Sequence, residues 1–155
     1  MLQFKKMKIK EASINDNEIL TEITKKSKSY WGYSEKQILK WNDNLTISAA
    51  YIENNCVFEL INNNEIIGYY SYLVKEEKNV ILDNLFILPE YIGKGFGKYL
   101  MTDFLNRMKN GKFEKITLNS DPNAENFYLK IGFKKIGEFK TSIKNRFMPI
   151  MEMSL

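Results

Sequence analysis

The spacing of apolar and polar residues changes several times along the chain, and each change marks an element. Residues 8–11 alternate apolar and polar, which predicts a short first strand. Asn15 followed by Glu18 has the spacing of a capping box, and Ile19, Leu20 and Ile23 then form one helical stripe. That helix is predicted to end near Tyr30, because Gly32 lies just beyond it. A second short helix is predicted from Ser34, carrying Ile38, Leu39 and Trp41. From Cys56 the period becomes that of strands. Residues 56–61, 65–74 and 80–88 are β-rich runs, broken by Asn62-Asn63-Asn64 and by Lys75-Glu76-Glu77-Lys78-Asn79. They read as three antiparallel strands joined by hairpins.

Helical spacing returns with Phe96, Leu100, Met101, Phe104, Leu105 and Met108, and Gly111 is placed to end that helix as its C′ residue. Residues 116–119 form a short strand. Asp121 as N-cap and Pro122 at the first helical position open another helix, which Gly132 closes. Residues 133–143 and 147–155 supply two closing strands. The order βααβββαβαββ predicts an α/β (α+β) fold, a mixed and mostly antiparallel sheet of six to seven strands flanked by about four helices. No repeat, low-complexity tract or Pro/Gly/Ser linker interrupts the 155 residues, so a single domain over 1–155 is expected.

Composition narrows the chemistry. A hydrophobic fraction of 44% supports a core, and no run approaches the ~20 apolar residues of a membrane span. Met1-Leu2-Gln3-Phe4-Lys5-Lys6 has charge but no apolar run behind it, so no secretory signal is expected. The single cysteine, Cys56, cannot form an internal disulfide; a core position and a cytoplasmic setting are expected. There is no histidine. Ser-His and Cys-His catalysis and histidine metal sites are therefore excluded, and proton transfer must use Asp, Glu, Tyr, Lys or water. No metal site is expected. The net charge of +4 is mild, and Lys25, Lys26 and Lys28 read as solvated helix surface. With no Arg/Lys-rich recognition helix and no aromatic stacking motif, no nucleic-acid partner is expected.

The informative segment is Leu85-Phe86-Ile87-Leu88-Pro89-Glu90-Tyr91-Ile92-Gly93-Lys94-Gly95-Phe96-Gly97-Lys98, where a strand gives way to three spaced glycines and then an amphipathic helix. Gly-x-Gly-x-Gly lets backbone N–H groups converge without Cβ obstruction, and the helix N-terminus adds partial positive charge. Such a loop suits a pyrophosphate, with Lys94 and Lys98 as cations at its rim; a glycine-rich turn without a ligand is the bland alternative. The nucleotide P-loop needs four residues between its glycines and a following Gly-Lys-Ser/Thr, both absent here. The dinucleotide fingerprint needs its third glycine one residue later and a parallel βαβ setting.

This stretch resembles the acetyl-CoA pyrophosphate loop of the GNAT superfamily of N-acetyltransferases. Asp121-Pro122-Asn123-Ala124-Glu125-Asn126-Phe127-Tyr128-Leu129-Lys130-Ile131-Gly132-Phe133 resembles that family's second cofactor-side motif, and the likeness runs from about residue 8 to the end. It implies acetyl-CoA as donor and a small-molecule or peptide amine as acceptor. Backbone of Phe86, Ile87 and Leu88 would pair with the pantetheine arm. Backbone N–H groups from Ile92 through Gly93, Lys94, Gly95, Phe96 and Gly97 to Lys98 would hold the pyrophosphate. Tyr128 stands where relatives keep a general acid beside the thioester sulfur, and Asn119 and Asn126 would bond the cofactor's amides. Ile92 replaces the more usual Arg or Gln, and Asp121 a more usual Asn.

Acetyl transfer from a thioester to an amine needs a neutral amine, a polarised carbonyl and a protonated leaving thiolate. The Ile87 N–H is a candidate to polarise the carbonyl, so direct attack in a ternary complex needs no covalent intermediate. Asp83 and Glu90 are candidate bases beside water-mediated deprotonation, with Asp83 preferred. Asp83 and Asn84 point to opposite faces of their strand, so only one can face the substrate. The family's acceptor side falls on Tyr30, Trp31 and Tyr33, with packing of the helix pair as the plain alternative. A non-catalytic acyl-CoA sensor is the rival function, and a homodimer is compatible with either.

Overall fold

The computed structural model describes residues 6–155; the N-terminal segment read above for a leader falls mostly outside them. The sheet order is β1-β2-β3-β4-β5-β7-β6. Contacts gather into two compact units: the chain up to Tyr72 with Asn84–Asn106, and Leu73–Asp83 with Arg107–Leu155. Each sheet pairing described below falls inside one of them. No helix among the described residues is long and apolar enough to cross a membrane.

The first unit begins with β1 (Met7–Glu11), and α1 (Asn17–Tyr30) follows after a 3₁₀ turn. The capping box lies earlier than the spacing suggests. The Ser13 hydroxyl accepts the Asn15 N–H at 3.2 Å and the Asp16 carboxylate accepts the Ser13 N–H at 3.1 Å. Asn15 is inside that turn. Ser34 caps α2 (Glu35–Lys40), but two further short helices, α3 (Asn42–Leu45) and α4 (Ala49–Asn54), were not expected. β2 (Cys56–Asn62) pairs antiparallel with both β1 and β3 (Glu65–Lys75), and the end of β4 (Asn79–Ile87) lies beside β3. Gly68 permits that approach, since a Cβ there would meet the Phe86 carbonyl oxygen at 2.8 Å. Cys56 is exposed at the start of its strand, not in the core.

Both faces of β2 and β3 are covered. Leu20, Ile23, Ile47, Ile52, Val57 and Tyr69 form one cluster, with Tyr51, Phe86 and Leu88 packed on it. On the other face Phe58, Tyr70 and Tyr72 stack beside Phe104 of α5 (Phe96–Asn110). The Tyr70 hydroxyl donates to Asp103 at 2.6 Å. One group conflicts with its surroundings. Glu59 on β2 is fully buried, and both carboxylate oxygens lack a hydrogen-bond partner among the described residues. Lys10, opposite on β1, places its ammonium 3.7 Å from Glu59 Oε1.

In the second unit β4 pairs parallel with β5 (Lys115–Asn119) over Asn79–Ile81 only, and β5 pairs antiparallel with β7 (Phe147–Ser154). β6 (Lys134–Lys140) forms the sheet edge against β7. Asp121 opens a 3₁₀ turn that leads into α6 (Glu125–Ile131), and Gly132, at φ +121°, ends it. Gly111 does not take the left-handed C′ role; Lys112 does, at φ +59°. Gly111 is small because a Cβ would meet the Phe113 ring at 2.8 Å.

Candidate functional site

The glycine loop sits between the end of β4 and the first turn of α5. Pro89–Tyr91 forms a 3₁₀ turn closed by Tyr91 and Ile92 N–H groups, which donate to the Leu88 and Pro89 carbonyls at 2.9 and 3.1 Å. The Ile92 N–H is therefore engaged, and the candidate pyrophosphate donors begin at Gly93. Gly93 and Gly95 lie at φ +79° and +90°, a region closed to most L residues, and a Cβ on Gly93 would meet open space. The first backbone bond of α5 runs from Tyr99 to the Gly95 carbonyl at 3.1 Å, so the N–H groups of Phe96, Gly97 and Lys98 have no acceptor within the helix. Phe96 is buried and packs edge-on against Tyr91 at 5.4 Å, fixing the turn, while Lys94 and Lys98 are exposed. This donor set fits a pyrophosphate: N–H groups without a helical acceptor, an open surface over Gly93 and two exposed lysines.

Strand alternation sorts the backbone of β4. The Leu88 N–H donates to Ile67 of β3 at 2.8 Å and its carbonyl accepts Tyr91, so Leu88 is committed to the fold. Phe86 shares that parity and its carbonyl faces Gly68. Ile87, of opposite parity, turns its N–H and carbonyl away from β3. Among the three candidates for the pantetheine arm, Ile87 is the one whose backbone groups point off the β3 side.

Side chains alternate as well. Asn84 donates to Tyr51 Oη at 3.2 Å and to Ser71 Oγ at 2.9 Å, and those two hydroxyls are 2.8 Å apart. Phe86 lies on the same face two residues on. Asp83 is exposed on the opposite face, and Glu90 is exposed on the 3₁₀ turn. Tyr51 and Ser71 were not anticipated: α4, which carries Tyr51, is only six residues long, and Ser71 is a lone hydroxyl inside the apolar run of β3.

The aromatic segment after α1 is split. Tyr30 and Trp31 are 52% and 40% exposed and meet edge-on at 5.0 Å. Tyr33 turns inward onto Trp41 at 4.9 Å. Lys28 is not simply solvated surface, because its ammonium lies about equally near Tyr33, Trp41 and Phe86. Lys25 bonds Asn42 and Lys26 pairs with Glu22. Replacing Trp31 by Ala is expected to raise the acceptor KM several-fold and leave the acetyl-CoA KM unchanged, measured by steady-state kinetics. Loss of the fold in that variant would make Trp31 a packing residue.

In the second unit Tyr128 is buried on α6, edge-on to Phe127 and Phe133. Burial, and then the Asp121 charge, push its phenol well above the ordinary tyrosine value. Asp121 accepts the Asn123 N–H and side-chain amide at 2.9 Å each and pairs with Arg146 at 3.2 Å, both partners of that pair being nearly buried. Asn119, at the end of β5, and Asn126, on α6, are exposed.

Residues 32–155 match the family described as the acetyltransferase (GNAT) domain. Among curated proteins, an uncharacterized N-acetyltransferase ycf52 of Gracilaria tenuistipitata var. liui is 26% identical over 89 residues, 57% of this chain and 49% of that protein. The chain spans about half the length of the curated relatives it matches. Among solved structures, the PaiA N-acetyltransferase of Thermoplasma acidophilum, in complex with coenzyme A, superposes with a TM-score of 0.79 at 23% identity, covering 96% of this chain and 99% of that one. A GCN5-related N-acetyltransferase from Rhodopseudomonas palustris gives 0.80 at 19% identity over 100% and 99%. These superpositions show the fold.

Proposed function

The chain belongs to the GNAT acetyltransferase family, and from that premise we propose that it transfers the acetyl group of acetyl-CoA to a primary amine by direct attack in a ternary complex. The observation that carries the proposal is the loop from Gly93 to Lys98: left-handed glycines, N–H groups without helical acceptors and two exposed lysines at a helix N-terminus. Bound there, acetyl-CoA supplies an activated thioester. Ile87 N–H, turned away from β3, polarises the thioester carbonyl as charge develops on its oxygen. Asn119 and Asn126 bond the cofactor's amides.

The incoming amine must lose its proton before attack. Asp83 is the carboxylate we assign to that step, with Glu90 as the alternative. Because Asp83 lies on the strand face opposite Asn84 and Phe86, a water relay fits it better than direct contact. Tyr30, Trp31, Tyr33 and Asn84 line the acceptor side. Tyr128 protonates the departing thiolate.

The raised pKa of Tyr128 limits what it can add. A phenol far less acidic than the thiol it serves, ordinarily near ~8.5, gives little driving force for the transfer. Tyr128→Phe, which keeps the ring and its packing, is expected to lower kcat about tenfold with acetyl-CoA affinity unchanged. No tyrosine limb is expected in the kcat profile over the usable pH range. A Phe variant with parental kcat would leave the thiolate to take its proton from water or from the amine. An acyl-CoA-binding module without catalysis would bind acetyl-CoA and release no thiol with any amine, and a thiol-release assay separates the two.

A further inference from the structure

Lys28 is held by parts of three elements. Its ammonium lies 5.8 Å from the Tyr33 ring centroid, 5.6 Å from Trp41 and 6.0 Å from Phe86. These rings come from the turn after α1, the end of α2 and the end of β4. Each is within the range where an ammonium is drawn to a ring face. The neighbouring lysines are placed differently: Lys25 bonds Asn42 at 2.6 Å and Lys26 pairs with Glu22 at 2.8 Å, with Glu90 acting on Lys26 as well. Lys28 alone carries its charge onto the Phe86 ring, two residues along the same strand face from Asn84. Exposed Tyr30 and Trp31 follow it within three residues of the chain.

A cluster of aromatic rings beside an acceptor site could itself hold a cationic substrate. Here a cation already occupies it, and a second ammonium would meet both a filled site and a like charge. A fixed ammonium has two consequences for acetyl transfer. It attracts an anionic group on the acceptor, and it favours the neutral form of a nearby amine, the form that attacks. Resting on the acetyl-transfer reading, we propose that Lys28 determines acceptor specificity and that the acceptor carries a carboxylate next to its primary amine, as a free amino acid does. The carboxylate pairs with Lys28 while the amine nitrogen bonds the acetyl carbon and the carbon–sulfur bond breaks. One proton leaves the nitrogen and one is gained by the thiolate, so no other reactant is needed. A polyamine has the opposite charge pattern and is disfavoured.

The test measures thiol release from acetyl-CoA with free L-α-amino acids, their carboxamides and spermidine. The parent is expected to favour amino acids over the matched carboxamides by roughly tenfold or more in kcat/KM. Lys28→Gln should bring that ratio near one, Lys28→Arg should keep it, and Lys28→Glu should reverse it, each with an unchanged acetyl-CoA KM. Should the Glu variant unfold, the Gln and Arg pair carries the comparison. Carboxamides or spermidine used as well as amino acids by the parent, or a ratio unchanged in Lys28→Gln, would overturn this proposal and leave acetyl transfer standing. No amine-dependent release from any acceptor would overturn both.

Discussion

Gly95→Asp is expected to abolish acetyl-CoA binding, with affinity lowered at least about a hundredfold by calorimetry, some 2.7 kcal/mol. Two effects of different size act at this position. Gly95 sits at φ +90°, so any side chain there costs about 1–2 kcal/mol of backbone strain. Aspartate adds an anion where, on the proposed reading, the N–H groups of Gly93 to Lys98 and the helix dipole would receive phosphate oxygens. Gly95→Ala carries the strain without the charge. The two variants should therefore melt at similar temperatures, both below the parent, since a carboxylate near a helix N-terminus does not by itself destabilise. Alanine should weaken binding partially and aspartate eliminate it. An aspartate variant that binds like the parent would mean that the pyrophosphate is not held at this turn.

Stability is expected to fall as pH rises from about 5 to 8, and Glu59→Gln should remove most of that slope. Burial lifts the Glu59 carboxyl to about 7 from an ordinary 4.5, with the neighbouring Asp16 carboxylate adding to the shift and Lys10 only partly opposing it. Lys10 is half exposed, so its help is screened. A carboxyl whose folded pKa is raised binds more protons folded than unfolded. Its contribution is then neutral below about 4.5, becomes destabilising as pH climbs through that value, and levels off above about 7. The accumulated cost is about 3 kcal/mol at pH 8. Glutamine keeps the shape and cannot ionise. Chemical denaturation should find it less stable than or equal to the parent at pH 5 and more stable at pH 8. A variant that is weaker by the same amount at both pH values would show that the ionised carboxylate is not the destabilising species.

The glycine loop and α5 were legible because their signals are local. Three glycines at alternate positions and a helical stripe from Phe96 to Met108 need no tertiary contact to be recognised. Gly132 marked the end of α6 for the same reason, whereas Asp121-Pro122 open the 3₁₀ turn that precedes α6 and not the helix itself. α3 and α4 escaped because six residues or fewer cannot establish a period, and Ser48 caps α4 without a following acid. β2 read correctly as a strand, yet nothing in Cys-Val-Phe-Glu-Leu-Ile-Asn reveals that both its faces are covered and that Glu59 is sealed in. Which N–H groups remain available was equally hidden: Ile92 and Leu88 are spent on the 3₁₀ turn and on β3, a matter of backbone folding that residue types do not encode. Lys28 looked like its neighbours on α1 until the Tyr33 and Trp41 rings folded back over it.

The central claim, that this chain moves acetyl groups from acetyl-CoA to amines, is tested most directly by following thiol release and acetylated product together. Purified protein is mixed with acetyl-CoA and a panel of primary amines, with product mass read alongside free thiol. The account predicts amine-dependent release, one acetylated amine for each thiol, lost in Gly95→Asp. Folded protein that binds acetyl-CoA yet releases no thiol with any amine would contradict it and identify a binding module in its place.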